Sequence, residues 1–159
     1  MRITASLFAI TLALTPTLAL AQAAPTRAEL ARIDRILRRT PLIDGHNDLP
    51  EQIHDNYGGD LSRVDLTADT RTLSTPLHTD IPRLRQGRVG AQFWSVYVPA
   101  EIQGAASAEA VRVQIDLVRQ IVAQHPNVFE LAQTADDIVR IHRAGRIASM
   151  FGMEGGEPI

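Results

Sequence analysis

Apolar residues recur along this chain with two periods, and each switch between them marks an element boundary. Leu30, Ile33, Ile36 and Leu37 follow at helical spacing behind Thr26-Arg27-Ala28-Glu29, where Thr26 and Glu29 have capping-box spacing; together they predict a helix over 27–39. Pro41 ends it, and Leu42-Ile43-Asp44 opens a short apolar strand that leads into Gly45-His46-Asn47-Asp48. The stretch 51–79 is polar and irregular, with Gly58-Gly59 and many Asp and Thr residues, and is expected to be a long loop with room for one helical turn. A short helix over 81–86 should stop at Gly87. Residues 89–98 (VGAQFWSVYV) are rich in β-branched and aromatic side chains and predict a buried strand closed by Pro99.

Ser107 is placed to cap a long helix with Val111, Ile115, Val118 and Val122 on one face and Pro126 beyond its end. Thr134-Ala135-Asp136-Asp137 starts another helix, with Ile138 and Ile141 inward and Gly145 as its stop. Residues 147–153 form a third apolar strand running into Glu154-Gly155-Gly156. Strands alternating with helices predict an α/β fold with parallel strands and crossover helices. A closed parallel barrel takes eight strands, so three predicted strands ending near Ile159 suggest an incomplete one, and the chain is expected to be a fragment.

Residues 1–23 stand apart from this pattern. Met1-Arg2 gives a positive start, and Ala19-Leu20-Ala21 and Ala21-Gln22-Ala23 offer small residues where a signal peptidase cuts. The competing reading is a membrane anchor, but the uncharged run from Ile3 to Leu20 is about 18 residues, interrupted by Thr15-Pro16-Thr17, against roughly 20 needed to span a bilayer. The expected organisation is a signal peptide over 1–23 and a barrel portion over 24–159, in an exported protein, periplasmic or secreted, with no stable membrane insertion after cleavage. The chain has no cysteine, which excludes a disulfide framework and lipid attachment through a thiol. Its formal net charge of −2 gives no reason to expect a nucleic-acid partner. All 16 basic residues are arginine, so the described chemistry includes neither a Schiff-base lysine nor a carboxylated lysine between two metals.

Two strand ends carry candidate chemistry. Side chains two apart on an extended chain point the same way, so His46 and Asp48 can converge on one cation, and an imidazole with a carboxylate suits Zn²⁺. The spacing also occurs by chance, in which case Asp48 caps a turn and His46 is a satisfied loop histidine. Glu154 lies between an apolar strand and two glycines, at the mouth of the same sheet; burying a carboxylate is costly unless it is paired or binds metal, and the competing reading is a loop glutamate facing water. Taken together, two strand ends bring His46, Asp48 and Glu154 to one rim, with Glu154 as the natural bridge between metals.

Three separated blocks resemble the renal (membrane) dipeptidase family, peptidase family M19. They are Leu42-Ile43-Asp44-Gly45-His46-Asn47-Asp48-Leu49-Pro50, the run from His78 to Gly87 with Val89 to Tyr97 behind it, and Gly152-Met153-Glu154-Gly155-Gly156. The resemblance covers about 41–156 and implies the first three βα units of a metal-dependent-hydrolase-type (β/α)8 TIM barrel. It implies two Zn²⁺ ions per complete site, with His46 and Asp48 on one and Glu154 bridging both at the catalytic centre. The implied substrate is a dipeptide, the remaining ligands come from later strands, and a homodimer stays open. Glu157 departs from members with a histidine after the glycine pair, which leaves that position without a role. Tyr97, near a strand end, is a candidate for lining the substrate pocket. His54, His78, His125 and His142 are expected to serve at the surface or at helix ends. Two other readings remain: a different metal-dependent amidohydrolase on the same barrel, and an exported binding protein that has lost catalysis.

Overall fold

The structure is a computed structural model that describes residues 24–156; the expected signal segment and Glu157 lie outside the described residues. Helix α1 (Arg27–Leu37) opens with the expected capping box, Thr26 and Glu29 satisfying each other's backbone N–H groups. Strand β1 (Leu42–Asn47), helix α2 (Leu49–Tyr57), helix α3 (Ile81–Gln86) and strand β2 (Val89–Tyr97) follow. Helix α4 (Ala105–Gln124), strand β3 (Phe129–Leu131), helix α5 (Ala135–Arg143) and strand β4 (Ile147–Glu154) complete the series. The strands form one parallel sheet in the order β1-β2-β4-β3. Among the described residues no helix is long and apolar enough to cross a membrane.

Three elements differ from expectation. The sheet has four strands, because β3 pairs with the start of β4 through Phe129↔Ile147 to Leu131↔Ser149. The first part of the expected loop is helix α2, which buries Leu49, Ile53 and Tyr57 at a spacing of four and stops at Gly58 in the left-handed conformation (φ 66°). Two 3₁₀ turns follow, capped by Asp60 and Asp69. Helix α4 begins three residues early: Gly104, at φ 63°, holds the N-cap position, and Ser107 lies inside the helix and is fully buried. At φ 63° a side chain would be strained, so the glycine makes that start possible.

The main core joins α2, α3 and α4 to one face of the sheet through Ile53, Leu84, Trp94, Val118, Ile121 and Ile147. Trp94 meets Phe129 of β3 edge-to-face at 5.8 Å. Residues of the alternate register, Ala91, Ala148 and Met150, pack with Ile141 of α5 in a second cluster. The segment between α2 and α3 is tied down by polar contacts. Tyr57 Oη donates to Thr75 O at 2.6 Å and accepts from Thr75 N at 3.2 Å. Asp80, 1% exposed, caps α3 through Arg83 N (2.8 Å) and also accepts from Thr70 N (3.1 Å) and Arg83 Nε (2.8 Å). Because every strand runs the same way, the carboxyl ends of β1, β2 and β4 share one rim.

Candidate metal centre

His46 is held near the end of β1 and Asp48 stands one residue past it, as N-cap of α2. Glu154 is the last residue of β4. His46 Nε2 lies 2.8 Å from Asp48 Oδ1 and 3.5 Å from Glu154 Oε2. One ligand atom from each of the three falls within 4.8 Å of the others. The three side chains are about half exposed, so the cluster opens outward from the rim. Around it the charge is negative: burial pushes the Glu51 carboxyl above its ordinary value, and Asp55, Asp48 and Glu154 push it further, against a smaller opposing effect of His46.

Asn47, between the two β1-end residues, points into the protein and fixes their turn. Its Oδ1 accepts from Leu49 N at 3.1 Å and from Thr79 Oγ1 at 3.2 Å, while its Nδ2 faces Thr79 Oγ1 (3.0 Å) and Gln92 Oε1 (3.4 Å). Gln92 is itself fully buried and donates to Phe93 O at 3.0 Å. This network joins β1, β2 and the segment before α3, and leaves His46 and Asp48 on the open side.

A cavity of about 430 Å³ adjoins the cluster, with His46, Asp48, Gln52, His78 and Thr79 in its wall. His78, expected at a surface or helix-end position, is exposed but stands in that wall, flanked by buried Leu77 and Thr79. Tyr97 is in register with Glu154 across β2 and β4 and lies outside the lining of this cavity. Its backbone is clamped by Gln114 of α4, which accepts from Tyr97 N at 3.1 Å and donates to Tyr97 O. His54 sits in the last turn of α2, 2.9 Å from Asp55, instead of in a loop. His125 is the C-cap of α4 and meets Phe129 edge-on, and His142 lies in the last turn of α5 with Nε2 buried and unpartnered.

The membrane dipeptidase family (peptidase family M19) matches this chain over residues 30–159. The chain belongs to that family. Among its relatives, dipeptidase ataJ of Aspergillus terreus is 47% identical over 135 residues, 79% of this chain and 32% of that protein. Dipeptidase verJ of Clonostachys rogersoniana is 38% identical over 136 residues, 79% of this chain and 34% of that protein. The chain therefore spans about a third of the length of these curated relatives.

Solved structures show the same fold at low identity. A metallopeptidase from Rhodobacter sphaeroides, crystallised with a phosphinate mimic of the dipeptide L-Ala-D-Ala, aligns with a TM-score of 0.60 at 20% identity, over 76% of this chain and 40% of that one. The probable dipeptidase PvdM of Pseudomonas aeruginosa aligns at 0.62 and 13% identity, over 81% of this chain and 32% of that one. The parallel α/β architecture is thus that of part of the TIM barrel of M19 dipeptidases.

Polar residues within an apolar strand were the signal for what sequence reasoning missed. Gln92 and Ser95 interrupt β2, both are buried, and both take part in holding the rim: Gln92 faces Asn47, and Ser95 Oγ lies 3.1 Å from Glu154 Oε2.

Proposed function

We propose that the protein is a zinc-dependent dipeptidase whose binuclear site takes His46, Asp48 and Glu154 from this chain. The observation that carries the reading is the convergence of these three side chains, from two separate strand ends, on one rim of a membrane dipeptidase family fold. The dipeptidase names of ataJ and verJ, and the dipeptide mimic bound by the Rhodobacter neighbour, support the substrate class. One imidazole nitrogen and two carboxylates are donors that zinc accepts, and the surrounding carboxylates favour a cation there.

In this reading His46 and Asp48 would hold one zinc, and Glu154, whose carboxylate offers two oxygens, would bridge to a second. Bound zinc supplies polarisation of the scissile carbonyl and a lowered pKa for the attacking water. The chain's own residues would orient these groups: Asn47 sets the turn between His46 and Asp48, and Tyr97, in register with Glu154 but outside the cavity beside the cluster, stays the candidate from β2 for bordering the substrate. Residues 1–23 would direct the protein out of the cytoplasm, to the periplasm or the medium.

The test is dipeptide hydrolysis by the complete protein after chelation and after zinc is restored. Zinc-restored cleavage of a free dipeptide is expected; a zinc-loaded protein that leaves a broad dipeptide panel intact would sink the reading. The 159-residue chain alone is expected to be inactive, since the described residues bring three donor groups together and no more. Turnover by this chain at the rate of the complete protein would contradict that. Asp48→Ala in the complete protein should lower zinc content and hydrolysis while leaving the unfolding temperature of the metal-free protein within a few degrees. The side chain is half exposed on the rim, whereas stability in such barrels resides in the packed interior and the opposite face. Wild-type zinc content in that variant would remove Asp48 from the ligand set.

A further inference from the structure

Ser95 sits in the middle of β2, between Trp94 and Val96 in sequence, and is 2% exposed. A hydroxyl at such a depth is costly unless it is hydrogen-bonded, and the partner it has is the Glu154 carboxylate: Ser95 Oγ donates to Glu154 Oε2 at 3.1 Å. That oxygen is the one 3.5 Å from His46 Nε2. The sheet register makes the contact possible. Ser95 pairs with Gly152 and Tyr97 with Glu154, so Ser95 and Glu154 lie two positions apart on the same face, and Gly152 puts no side chain between them.

Glu154 otherwise ends β4 with a side chain about half exposed, free to turn toward solvent. A donor rooted in the sheet, buried and with one rotatable bond, holds one of its oxygens on the side where His46 and Asp48 stand. We infer that Ser95 is a positioning residue: its hydroxyl fixes the Glu154 carboxylate toward His46 and Asp48 and so strengthens metal binding at the rim. The inference rests on the metal site proposed above. Hydrogen-bond partners of metal ligands act through orientation, and losing one weakens metal affinity or activity by about 10–100-fold.

The experiment compares the complete protein with Ser95→Ala and with Ser95→Thr, which keeps the hydroxyl. Zinc affinity is measured by chelator competition, and unfolding temperature is followed with and without zinc. Ser95→Ala is expected to bind its weaker zinc about 10–100-fold less tightly and to lose part of the zinc-induced rise in unfolding temperature. The metal-free unfolding temperature should change little, because water can replace the hydroxyl on the half-exposed carboxylate. Ser95→Thr should recover most of the affinity. Wild-type zinc affinity in Ser95→Ala would overturn the inference. So would a variant that is destabilised without zinc to the same degree as with it, which is the mark of a purely structural hydroxyl. A wild-type protein that binds no zinc would sink the metal site and Ser95 with it, whereas a two-zinc wild type matched by Ser95→Ala would sink Ser95 alone.

Discussion

Glu154→Gln in the complete protein is expected to retain close to one zinc instead of two and to hydrolyse dipeptides several orders of magnitude more slowly. Two-metal hydrolases hold their cations about 3.5–4 Å apart. Unit charges at 4 Å repel by about 4 kcal/mol at an effective dielectric near 20, and dications by about four times as much. A carboxylate between them offsets that repulsion with its charge and gives each cation an oxygen. Glutamine keeps the shape and loses both properties, since its amide nitrogen donates hydrogen bonds and has no lone pair to offer a metal. The substitution leaves the local geometry intact, because Ser95 Oγ, 3.1 Å from Glu154 Oε2, can accept from the new amide as readily as it donates to the carboxylate. It therefore separates charge from position. A glutamate that only faced water would tolerate the change within about ±0.5 kcal/mol and leave zinc content alone. Atomic emission on wild type and variant distinguishes the two, and equal zinc in both would remove Glu154 from the bridge.

What was legible in the sequence was whatever has a local signature. The capping-box spacing at Thr26 and the helix start read at Thr134 mark the beginnings of α1 and α5; both form, and Thr134 with Asp137 closes a capping box as well. The apolar opening of β1 and the H-x-D step at its end placed His46 and Asp48 at a strand end, and Glu154 stands at the end of β4, where the apolar run from Ile147 was expected to deliver it. Helix α2 was hidden because its buried side chains are only Leu49, Pro50, Ile53 and Tyr57, with polar residues between the last three. Strand β3 has three residues, too few for any periodicity, and exists because Phe129 packs on Trp94 and pairs with Ile147. The start of α4 went to Ser107 on composition, whereas a glycine at positive φ opens the helix three residues earlier.

The site was legible as a ligand set and not as a supported structure. Asn47, Thr79, Gln92 and Ser95 act across separations of 32 to 59 residues, and no pattern within one element announces such a bond. His78 was unremarkable for the same reason: its place in the cavity wall follows from its buried neighbours Leu77 and Thr79, which are fixed by contacts to Thr70 and Asn47. A polar residue inside an apolar strand is the one clue available beforehand, and in β2 it marks both Gln92 and Ser95.

The largest loss of stability is expected from Asp80, which stands outside the proposed ligand set. Its carboxylate is 1% exposed and gathers four donors: Arg83 N and Arg83 Nε at 2.8 Å, Thr70 N at 3.1 Å and Thr70 Oγ1 at 3.4 Å. It thereby caps α3 and ties that helix to the segment before it, while Arg83 reaches on to Thr70 Oγ1 and Leu77 O. Asp80→Ala strands a buried backbone N–H at Thr70, uncaps α3 and leaves the guanidinium without its partner. Breaking a buried pair costs about 3–5 kcal/mol; Arg83 is 29% exposed and can turn to water, which puts the loss near about 3 kcal/mol. Asp80→Asn keeps one accepting oxygen for the cap and should lose less. The pH dependence separates charge from shape. Burial pushes the Asp80 carboxyl up, but the backbone hydrogen bonds from Arg83 and Thr70 and the Arg83 guanidinium outweigh it and hold it below its ordinary value. A depressed folded-state pKa contributes stability that is fully present above the unfolded value, about 3.9, and is lost as pH falls through the folded one. The gap in urea midpoint between wild type and Asp80→Asn should therefore be constant at neutral pH and narrow as the solution is taken below about pH 4. A gap that persists unchanged into acid would show that Asp80 acts through shape alone, and a loss in Asp80→Ala below about 0.5 kcal/mol would show that the network carries no stability.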